Sequence, residues 1–593
     1  MGHPARDRPA RHHHAGRVLL LTGLAAVLGV LGGAAAWVLL HLIGLITNLA
    51  LFHRWGWSVP SFADFHPDGT LLVAAVIGAL FVALLAKWSP VIRGHGIPEA
   101  MEAVLVRQSR IAPRTAVAKP ASAAVAIGTG GPFGAEGPII VTGGALGSLL
   151  GQWINVSPSE RKILLACGAA AGMAATFGAP LAAVVLAIEL LLFEFSNRAL
   201  VPLITAASVA GAMHVALFGA GPLFHVPPHD YAGLESLPVF AVVGVLCGLL
   251  AVVICKGLFL VEAGFRRLPV AHFWHPALGA LVFATIGLAV PRALGVGYDA
   301  IDDVLADRLA VGTLAVLMLA KLGAWWFALG SGTSGGTLAP ILLISGAFGG
   351  LLGAAVDEIV PGLHLSPGAV ALVAMAATFG ASTRAVFTAI VFAFELTHDF
   401  AAILPIMLAA VIADLVAGAL LEDGLMTEKL ARRGLRVSRD YAPDQLSTTL
   451  VSTAMTSPVI VLASAVTVQD ARATMAATEH QAFPMVDDQR HCVGIVTRED
   501  LLGPDARGEQ RALEIASTDV VAVSPDDTLL TVLEHIVDEG VDHVAVLDHD
   551  RRVVGICTRT DILRARVGHR EAEVPQRGWH HAWRHRNGHQ EGP

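Results

Sequence analysis

The sequence predicts a polytopic α-helical membrane protein whose membrane part is internally duplicated, followed by a smaller α/β region. Hydrophobic residues make up 54% of the 593 residues and charged residues 15%, well below the ~25% charge usual in soluble domains. Residues 137–151 match residues 339–353, and residues 173–179 recur letter for letter at 375–381, so both offsets are 202 (339 − 137 and 375 − 173). From about Arg436 charges become frequent and the long apolar runs stop.

The duplication indicates a transporter type of fold. Duplicated halves with Gly/Pro-broken apolar segments are typical of inverted repeats, whose ion site lies between the halves. We predict halves at about residues 18–228 and 235–435. Several apolar segments are too short to span a bilayer alone, and broken helices survive there only where protein or an aqueous cavity covers the loose backbone. The ends of half-helices should therefore meet inside the protein.

Residues 1–17 are predicted to be a polar cytoplasmic tail. Several arginines precede the first apolar run, so the positive-inside rule places the N-terminus in the cytoplasm. The cluster His12–His14 is expected to be disordered and not a metal site. Residues 18–52 contain no Asp, Glu, Lys or Arg, and this run is too long for the apolar core of a removable signal peptide.

Glu136 is the candidate functional residue of the membrane part. It is the only Asp, Glu, Lys or Arg in residues 120–159, and a carboxylate in such a run is costly in a bilayer unless it has a function. Gly134 and Gly137 let the backbone bend, and Pro138 suits the first turn of a helix. We therefore expect Glu136 at a helix N-terminus, where unpaired N–H groups attract anions. There it would act as a gate, because it competes with a permeating anion.

The C-terminal region is predicted to contain two similar units, at residues 449–505 and 512–567. A linker at 436–448 precedes them, and the polar, His-rich residues 568–593 are expected to be a disordered tail. In each unit an apolar run ends in an acid and a turn before a second apolar run. The pattern predicts strand, tight turn, strand and helix.

Charge and cysteine content exclude other classes. The net charge is −8 and we find no concentrated basic face, which argues against a nucleic-acid partner. The five cysteines have neither the spacing of a disulfide framework nor that of a zinc site, so we expect them to be reduced. No metal or required cofactor is predicted.

Three short motifs resemble the CLC family of chloride channels and chloride/proton exchangers. The family signatures Gly-Ser-Gly-Ile-Pro, Gly-Arg-Glu-Gly-Pro and Gly-x-Phe-x-Pro appear as Gly94-His-Gly-Ile-Pro98, Gly134-Ala-Glu-Gly-Pro138 and Gly336-Thr-Leu-Ala-Pro340. The resemblance covers about residues 18–435, and residues 449–566 resemble a tandem pair of CBS domains. It implies chloride or similar anion transport by a homodimer of the inner membrane, one pathway per subunit, with the CBS pair in the cytoplasm.

The resemblance also implies the anion site, with Glu136 as its outer gate. Backbone amides at the start of a half-helix bind anions whatever the side chains are, so Thr337 and Leu338 are the preferred ligands. The full set of implied anion ligands is Gly94, His95, Gly96, Ala135, Gly137, Thr337, Leu338 and Met426.

Four of the departures from the family pattern bear on the anion and proton pathways. The serine of the first signature is His95, whose N–H can also donate to an anion and whose protonation would make binding pH-dependent. The phenylalanine of the third signature is Leu338, and the pore tyrosine is Met426. The inner proton-relay glutamate falls on Leu190, while Glu189 lies one position earlier, about 100° away on a helix.

The missing inner acid favours passive or weakly proton-coupled anion flow gated by Glu136. Chloride/proton exchange through Glu189 or a water chain is the alternative. An intramembrane hydrolase using Glu136 and His95 is an alternative of a different class, but no HExxH motif occurs and we do not expect an enzyme. A membrane-anchored nucleotide sensor is another, although an anchor needs one or two spans and not a duplicated fold.

The CBS pair carries a separate hypothesis. Thr497 with Asp500, and Thr558 with Asp561, match CBS positions that hold the phosphate and ribose of an adenine nucleotide. A purely structural CBS pair is the alternative.

Overall fold

The computed structural model describes residues 9–154, 156–224, 226–227, 229–231, 233–363, 365–435, 446, 449–478, 480–504 and 506–573. The chain divides into two compact units, Met1–Asp440 and Tyr441–Pro593.

The described part of the first unit contains helices joined by loops, and no β-strand. Its helices are α1 Pro9–Ala50, α2 Gly69–Trp88, α3 Ile97–Val106, α4 Pro113–Gly128, α5 Glu136–Trp153, α6 Pro158–Phe177, α7 Pro180–Ala187, α8 Asn197–Phe218, α9 Leu237–Arg267, α10 His275–Ala289, α11 Tyr298–Leu305, α12 Val311–Gly330, α13 Leu338–Ile359, α14 Pro367–Thr383, α15 Val386–Thr397, α16 Ile403–Leu420 and α17 Glu428–Ala431. A π-helical turn, Ile188–Leu192, continues α7.

Helix length separates full spans from half-helices. In the part of the chain that the structure describes, seven helices are long and apolar enough to cross a membrane. By contrast α3, α7, α11 and α15 have 10, 8, 8 and 12 residues, too few for the ~20 that a straight span needs. This is the architecture of broken helices that the sequence predicted.

Helices α5 and α6 approach closely because their contact is lined by small residues. A Cβ atom added at Gly143 would lie 2.0 Å from the carbonyl oxygen of Gly168, and one added at Gly147 would lie 2.0 Å from that of Leu164. Such small-residue contacts replace the hydrophobic driving force that is absent between helices in lipid. The packing holds the start of α5, with Glu136, in a fixed place.

Helix α1 begins earlier than expected, at Pro9. The expectation that His12–His14 are disordered is therefore wrong, because residues 9–17 continue the first helix. Pro9 suits a first helical position, and Arg17 fixes this end by donating to the buried carboxylate of Glu160 at 2.5 Å and 2.9 Å.

The C-terminal tail also begins later than expected, since α22 (Arg559–Glu573) extends past residue 568. Residues 574–593 and most of the linker at 436–448 lie outside the described residues.

The second unit repeats one small fold twice. Its strands are β1 Leu462–Ala463, β2 Ala482–Val486, β3 Cys492–Thr497, β4 Ala522–Val523, β5 His543–Leu547 and β6 Val553–Thr558, and its helices are α18 Val451–Ala454, α19 Val468–Thr478, α20 Arg498–Leu502, α21 Leu529–Asp538 and α22.

The two sheets have the same topology. They are ordered β1-β2-β3 and β4-β5-β6, with the first pair parallel and the second antiparallel in each. The order strand, tight turn, strand and helix is confirmed in both units. Ala482 pairs with Thr497 and His543 pairs with Thr558, so each threonine ends a strand and begins the following helix.

Candidate functional site

Glu136 begins α5, and its carboxyl group is buried between the two halves of the membrane unit. The residue is 1% exposed. Its Oε1 accepts hydrogen bonds from the backbone N–H of Ala339 at 3.2 Å and from the hydroxyl of Tyr298 at 3.4 Å. Its Oε2 is buried and has no hydrogen-bond partner among the described residues. One carboxylate oxygen is thus held by two donors and the other by none.

The second and third signatures meet around this carboxyl group. The N–H of Gly336 donates to the carbonyl of Gly134 at 2.9 Å, and the N–H of Gly134 donates to the carbonyl of Gly336 at 3.3 Å. These two glycines are 336 − 134 = 202 positions apart. A Cβ at Gly134 would lie 1.7 Å from Glu136 Oε2, so glycine is what lets the carboxyl group occupy this place.

The first signature packs against the start of α5. A Cβ at Gly137 would lie 1.9 Å from the carbonyl oxygen of His95. The N–H of Gly94 donates to Thr333 at 3.1 Å, and Gly94 pairs with Ser334 in an isolated bridge. All three signatures, which are far apart along the chain, therefore converge.

Two buried lysines support these loops from matching positions in the two halves. Lys119 donates to the carbonyl oxygens of Ile92 and Gly94, both at 2.8 Å. Lys321 donates to the carbonyl oxygen of Gly295 at 2.8 Å. Both lysines are 0% exposed, and their offset, 321 − 119, is again 202. Each lysine thus fixes, by hydrogen bonds, a loop that begins a half-helix.

The predicted anion ligands occupy different kinds of position. Ala135 is the N-cap of α5, Thr337 is the N-cap of α13 and Leu338 its first residue. The amide that contacts the gate belongs to Ala339, one residue beyond the preferred pair. Met426 is 0% exposed within the apolar core, which supports a packing role.

In the first signature the His95 ring has a nitrogen without a partner, whereas the amides of Gly94 and Gly96 are already bonded. His95 is 1% exposed, and its Nδ1 has no hydrogen-bond partner among the residues that the structure describes. The N–H of Gly94 is already bonded to Thr333, and the N–H of Gly96 donates to Glu99 Oε2 at 2.9 Å.

Glu189 lies at the N-terminus of another half-helix. Its carboxylate accepts from the N–H groups of Phe387 and Thr388 at 3.3 Å and 2.9 Å, and from the Thr388 hydroxyl at 2.5 Å. Glu395 does the same for α7, accepting from Leu181 N–H at 2.9 Å and Ala182 N–H at 2.7 Å. Each acid therefore caps the N-terminus of a half-helix in the other half of the membrane unit. The helix dipole favours a carboxylate at that end. The position expected for the inner acid holds buried Leu190.

The hydrolase alternative gains no support from the geometry. Residues 332–336, Gly-Thr-Ser-Gly-Gly, satisfy the pattern GxSxG. Ser334 Oγ accepts a hydrogen bond from Ser122 at 2.9 Å, and within the described ranges no histidine hydrogen-bonds to it. A nucleophilic serine needs such a base.

In the CBS pair the predicted residues form two matching caps. Thr497 donates from its hydroxyl and its N–H to Asp500 Oδ2 at 2.7 Å and 2.8 Å, and Thr558 does so to Asp561 at 2.7 Å and 2.9 Å. Only Thr497 of these four lines the cleft of about 480 Å³ that also contains Ser517, Asp542 and His543. The two CBS units therefore have matching caps, but only the cap of the first unit contributes a residue to the cleft.

Sequence reasoning missed Tyr298 and Lys321. The offset of about 202 that revealed the duplication could have found Lys321 from Lys119. No signal in the sequence alone pointed Tyr298 at Glu136, because 298 − 136 = 162 positions separate them.

Comparison with known families and proteins agrees with this geometry. The family model described as voltage gated chloride channel matches residues 77–418, and the CBS domain model matches residues 451–504 and 512–568.

Among curated relatives, an H(+)/Cl(-) exchange transporter ClcA from Vibrio parahaemolyticus is 29% identical over 392 residues, covering 64% of this chain and 83% of the relative. A putative chloride channel protein ClcB-like from Ralstonia nicotianae is 29% identical over 350 residues, covering 58% of this chain and 81% of the relative.

Two solved structures share the fold. A slow cyanobacterial Cl-/H+ antiporter superposes with a TM-score of 0.61 at 27% identity, covering 70% of this chain and 98% of its own. A eukaryotic CLC transporter superposes with a TM-score of 0.58 at 19% identity, covering 92% of this chain and 98% of its own. At that identity the second similarity concerns the fold alone.

Proposed function

We propose that this chain, which belongs to the family of voltage-gated chloride channels, exchanges chloride for protons, with Glu136 as outer gate and proton carrier. The resemblance drawn from the three signatures is confirmed, and with it anion transport through a multi-pass membrane protein. The names of the relatives favour exchange, the alternative that we predicted from the sequence, over passive flow, which was our first prediction. The observation that carries the proposal is the buried Glu136 carboxyl group, held where both halves meet.

Glu136 and chloride compete for the same donors. When ionised, the carboxylate occupies the position between the Ala339 N–H and the Tyr298 hydroxyl, and an anion cannot bind there. A proton added at Oε2, the oxygen without a donor, neutralises the carboxyl group and weakens its hold on both donors. The side chain then moves aside and chloride takes its place, which links proton uptake to anion movement.

The inner proton step does not use Glu189 in this proposal. Its carboxylate caps α15, and its counterpart Glu395 caps α7 in the same way. A matched pair of caps is a structural device shared by both halves. We therefore favour the water chain past Leu190 as the inner route.

The test uses liposomes containing the purified full-length protein. A chloride gradient is imposed, the voltage is clamped with an ionophore, and the external pH is followed. We expect chloride moving down its gradient to drive protons uphill, and we expect Glu136→Ala to abolish proton movement while chloride still flows. Chloride flow without proton movement in the wild type would contradict exchange and restore the passive interpretation.

We also propose a homodimer in the inner membrane, with the N-terminus and the CBS pair in the cytoplasm. The arginines before the first apolar run support this orientation. Labelling of single cysteines from either side of the membrane tests the orientation, and chemical cross-linking in membranes tests the dimer.

A second proposal concerns the cleft of the CBS pair. Its volume of about 480 Å³ lies within the ~300–1,000 Å³ of small-ligand sites. The lining contains Glu499, Asp519 and Asp542 against Arg498. Because three carboxylates repel phosphate, we propose an adenine nucleotide with few phosphates, AMP in preference to ATP.

A ligand that binds the folded state alone raises thermal stability by mass action. We expect millimolar AMP to raise the melting temperature of the full-length protein more than ATP does. A melting curve unmoved by AMP, ADP and ATP would leave the CBS pair structural.

A further inference from the structure

The loop before α11 is the counterpart, in the second half, of the first signature loop. Gly295 and Gly297 lie 201 positions after Gly94 and Gly96 (295 − 94 and 297 − 96). All four have positive φ, 57° and 84° in the second half and 96° and 98° in the first, a region that favours glycine. Each loop leads directly into a half-helix, α3 or α11, and accepts a hydrogen bond from a buried lysine.

The residue that begins the second half-helix is Tyr298. Its counterpart in the first half, at position 97, is an isoleucine, which offers no donor. The Tyr298 ring is half-buried and lies edge-on to Phe177 and Phe224, with ring centroids 6.4 Å and 6.0 Å away. This packing aims the hydroxyl at Glu136 Oε1, 3.4 Å away.

We propose that the Tyr298 hydroxyl is a ligand of the permeating anion at the outer position. It donates to Glu136 Oε1 while the gate occupies the position, and it donates to a halide once the gate has moved aside. A phenol O–H serves either acceptor because it is a neutral donor that tolerates any small monovalent anion. This inference rests on the proposed function, since it takes Glu136 and the anion to exchange places.

The alternative is that Tyr298 only packs in an aromatic cluster. A phenylalanine would make the same ring contacts, so the hydroxyl is the feature to test. Its partner Glu136 is 1% exposed and has a second oxygen without a partner in the described part of the chain, so the hydroxyl faces a buried acid and not solvent.

The experiment measures chloride and bromide binding to the full-length protein in detergent by calorimetry. Glu136→Ala serves as background, because without the carboxyl group the anion has sole access to the position. We expect Tyr298→Phe in this background to weaken binding about tenfold, as expected for a lost hydrogen bond to a charged group. Equal affinity with and without the Tyr298 hydroxyl would overturn the proposal.

Tyr231→Phe is the matched control. Its hydroxyl also donates to a carboxylate, Asp399 Oδ2 at 2.7 Å, but outside the site, so its removal should leave anion affinity unchanged. Proton coupling in Glu136→Ala decides the proposed function separately: if coupling persists there, exchange through Glu136 fails whatever Tyr298 does.

A second measurement keeps the hydroxyl of Tyr298. The chain has three tyrosines, so Tyr231→Phe with Tyr441→Phe leaves Tyr298 as the single site for fluorotyrosine. In the Glu136→Ala background, its ¹⁹F resonance should shift on chloride addition and saturate at the calorimetric affinity. A resonance unmoved by saturating chloride would contradict the proposal.

Discussion

The two halves of the membrane unit share their scaffold and differ at the residues that face the gate. Lys119 matches Lys321, and Glu189 matches Glu395 in the exchanged helix caps. By contrast Glu136 matches Leu338 at the 202-residue offset, as 338 − 136 shows. The matched residues hold loops and helix ends in place. The unmatched one lies where the halves meet and can change charge.

The CBS pair shows the same contrast. The caps of Thr497 with Asp500 and of Thr558 with Asp561 are alike, whereas His543 in the cleft corresponds to Ala482 by strand register. Duplication thus produces a symmetric frame, and the proposed sites lie where one copy departs from it.

Gly134→Ala should open the gate. Its Cβ would overlap Glu136 Oε2, the far end of a flexible side chain, so the carboxyl group should leave its place while the backbone stays. Overpacking costs about 1–3 kcal/mol, which corresponds to roughly 5–150-fold, so chloride flux at neutral pH should rise within that range. Flux measured in liposomes should also lose its pH dependence and its proton coupling.

Gly144→Ala is the control for this variant. It lies on α5, the helix that follows Gly134, and its Cβ would make only ordinary contacts at 3.6 Å or more. We expect wild-type flux and coupling from it. A Gly134→Ala protein that stays gated would show that the carboxyl group does not occupy the position in the working protein.

Glu189→Gln and Glu395→Gln should behave alike. Each weakens one helix cap, an interaction worth about 0.5–2 kcal/mol, so both should lower the melting temperature in detergent by similar amounts. Both should keep proton coupling in the liposome assay. Loss of coupling in Glu189→Gln alone would break the symmetry and make Glu189 the inner proton carrier.

His95→Ser tests an unmatched residue of the first signature, whose counterpart at position 296 is a valine. Burial and the neighbouring Lys119 and Lys429 disfavour a charged ring at this place. We therefore expect His95 to bind the anion as a neutral N–H donor, so that calorimetric affinity differs by at most about fivefold between the two proteins and its pH dependence between about 7.5 and about 5.5 is the same in both. Affinity that rises as pH falls in the wild type but not in His95→Ser would contradict this and show that the ring becomes charged at the site.

His543→Ala, which copies Ala482 of the other CBS unit, should have the smallest effect. Burial lowers the pKa of His543 below its usual 6.5, an effect to which Arg559 adds and which Asp542 opposes. Below pH 6.5 the unfolded state then binds more protons than the folded state, so the stability of this unit falls as pH falls. The variant should lose part of this acid sensitivity in melting curves recorded across that range. If the melting temperature depends on pH equally in both proteins, His543 is not the source of this acid sensitivity.

Much of the frame could be predicted from local sequence. The duplication, the position of Glu136 at a helix start and the two strand–turn–strand–helix units follow from apolar runs, glycines and prolines, whose effects act over a few residues. The start of α1 at Pro9 was missed because polar composition suggested a tail, while an ion pair between Arg17 and Glu160 helps to hold that end of the helix.

Chemically unusual residues can be recognised from the amino-acid sequence, namely a lone carboxylate, a histidine for a serine and a leucine for an acid. Which groups these residues contact depends on the folded arrangement of both halves. Ala339 and Tyr298 contact Glu136 from 203 and 162 positions away. Periodicity specifies the face of a helix, but the pairing of half-helix ends depends on how two inverted halves pack, and that packing is a property of the whole folded unit.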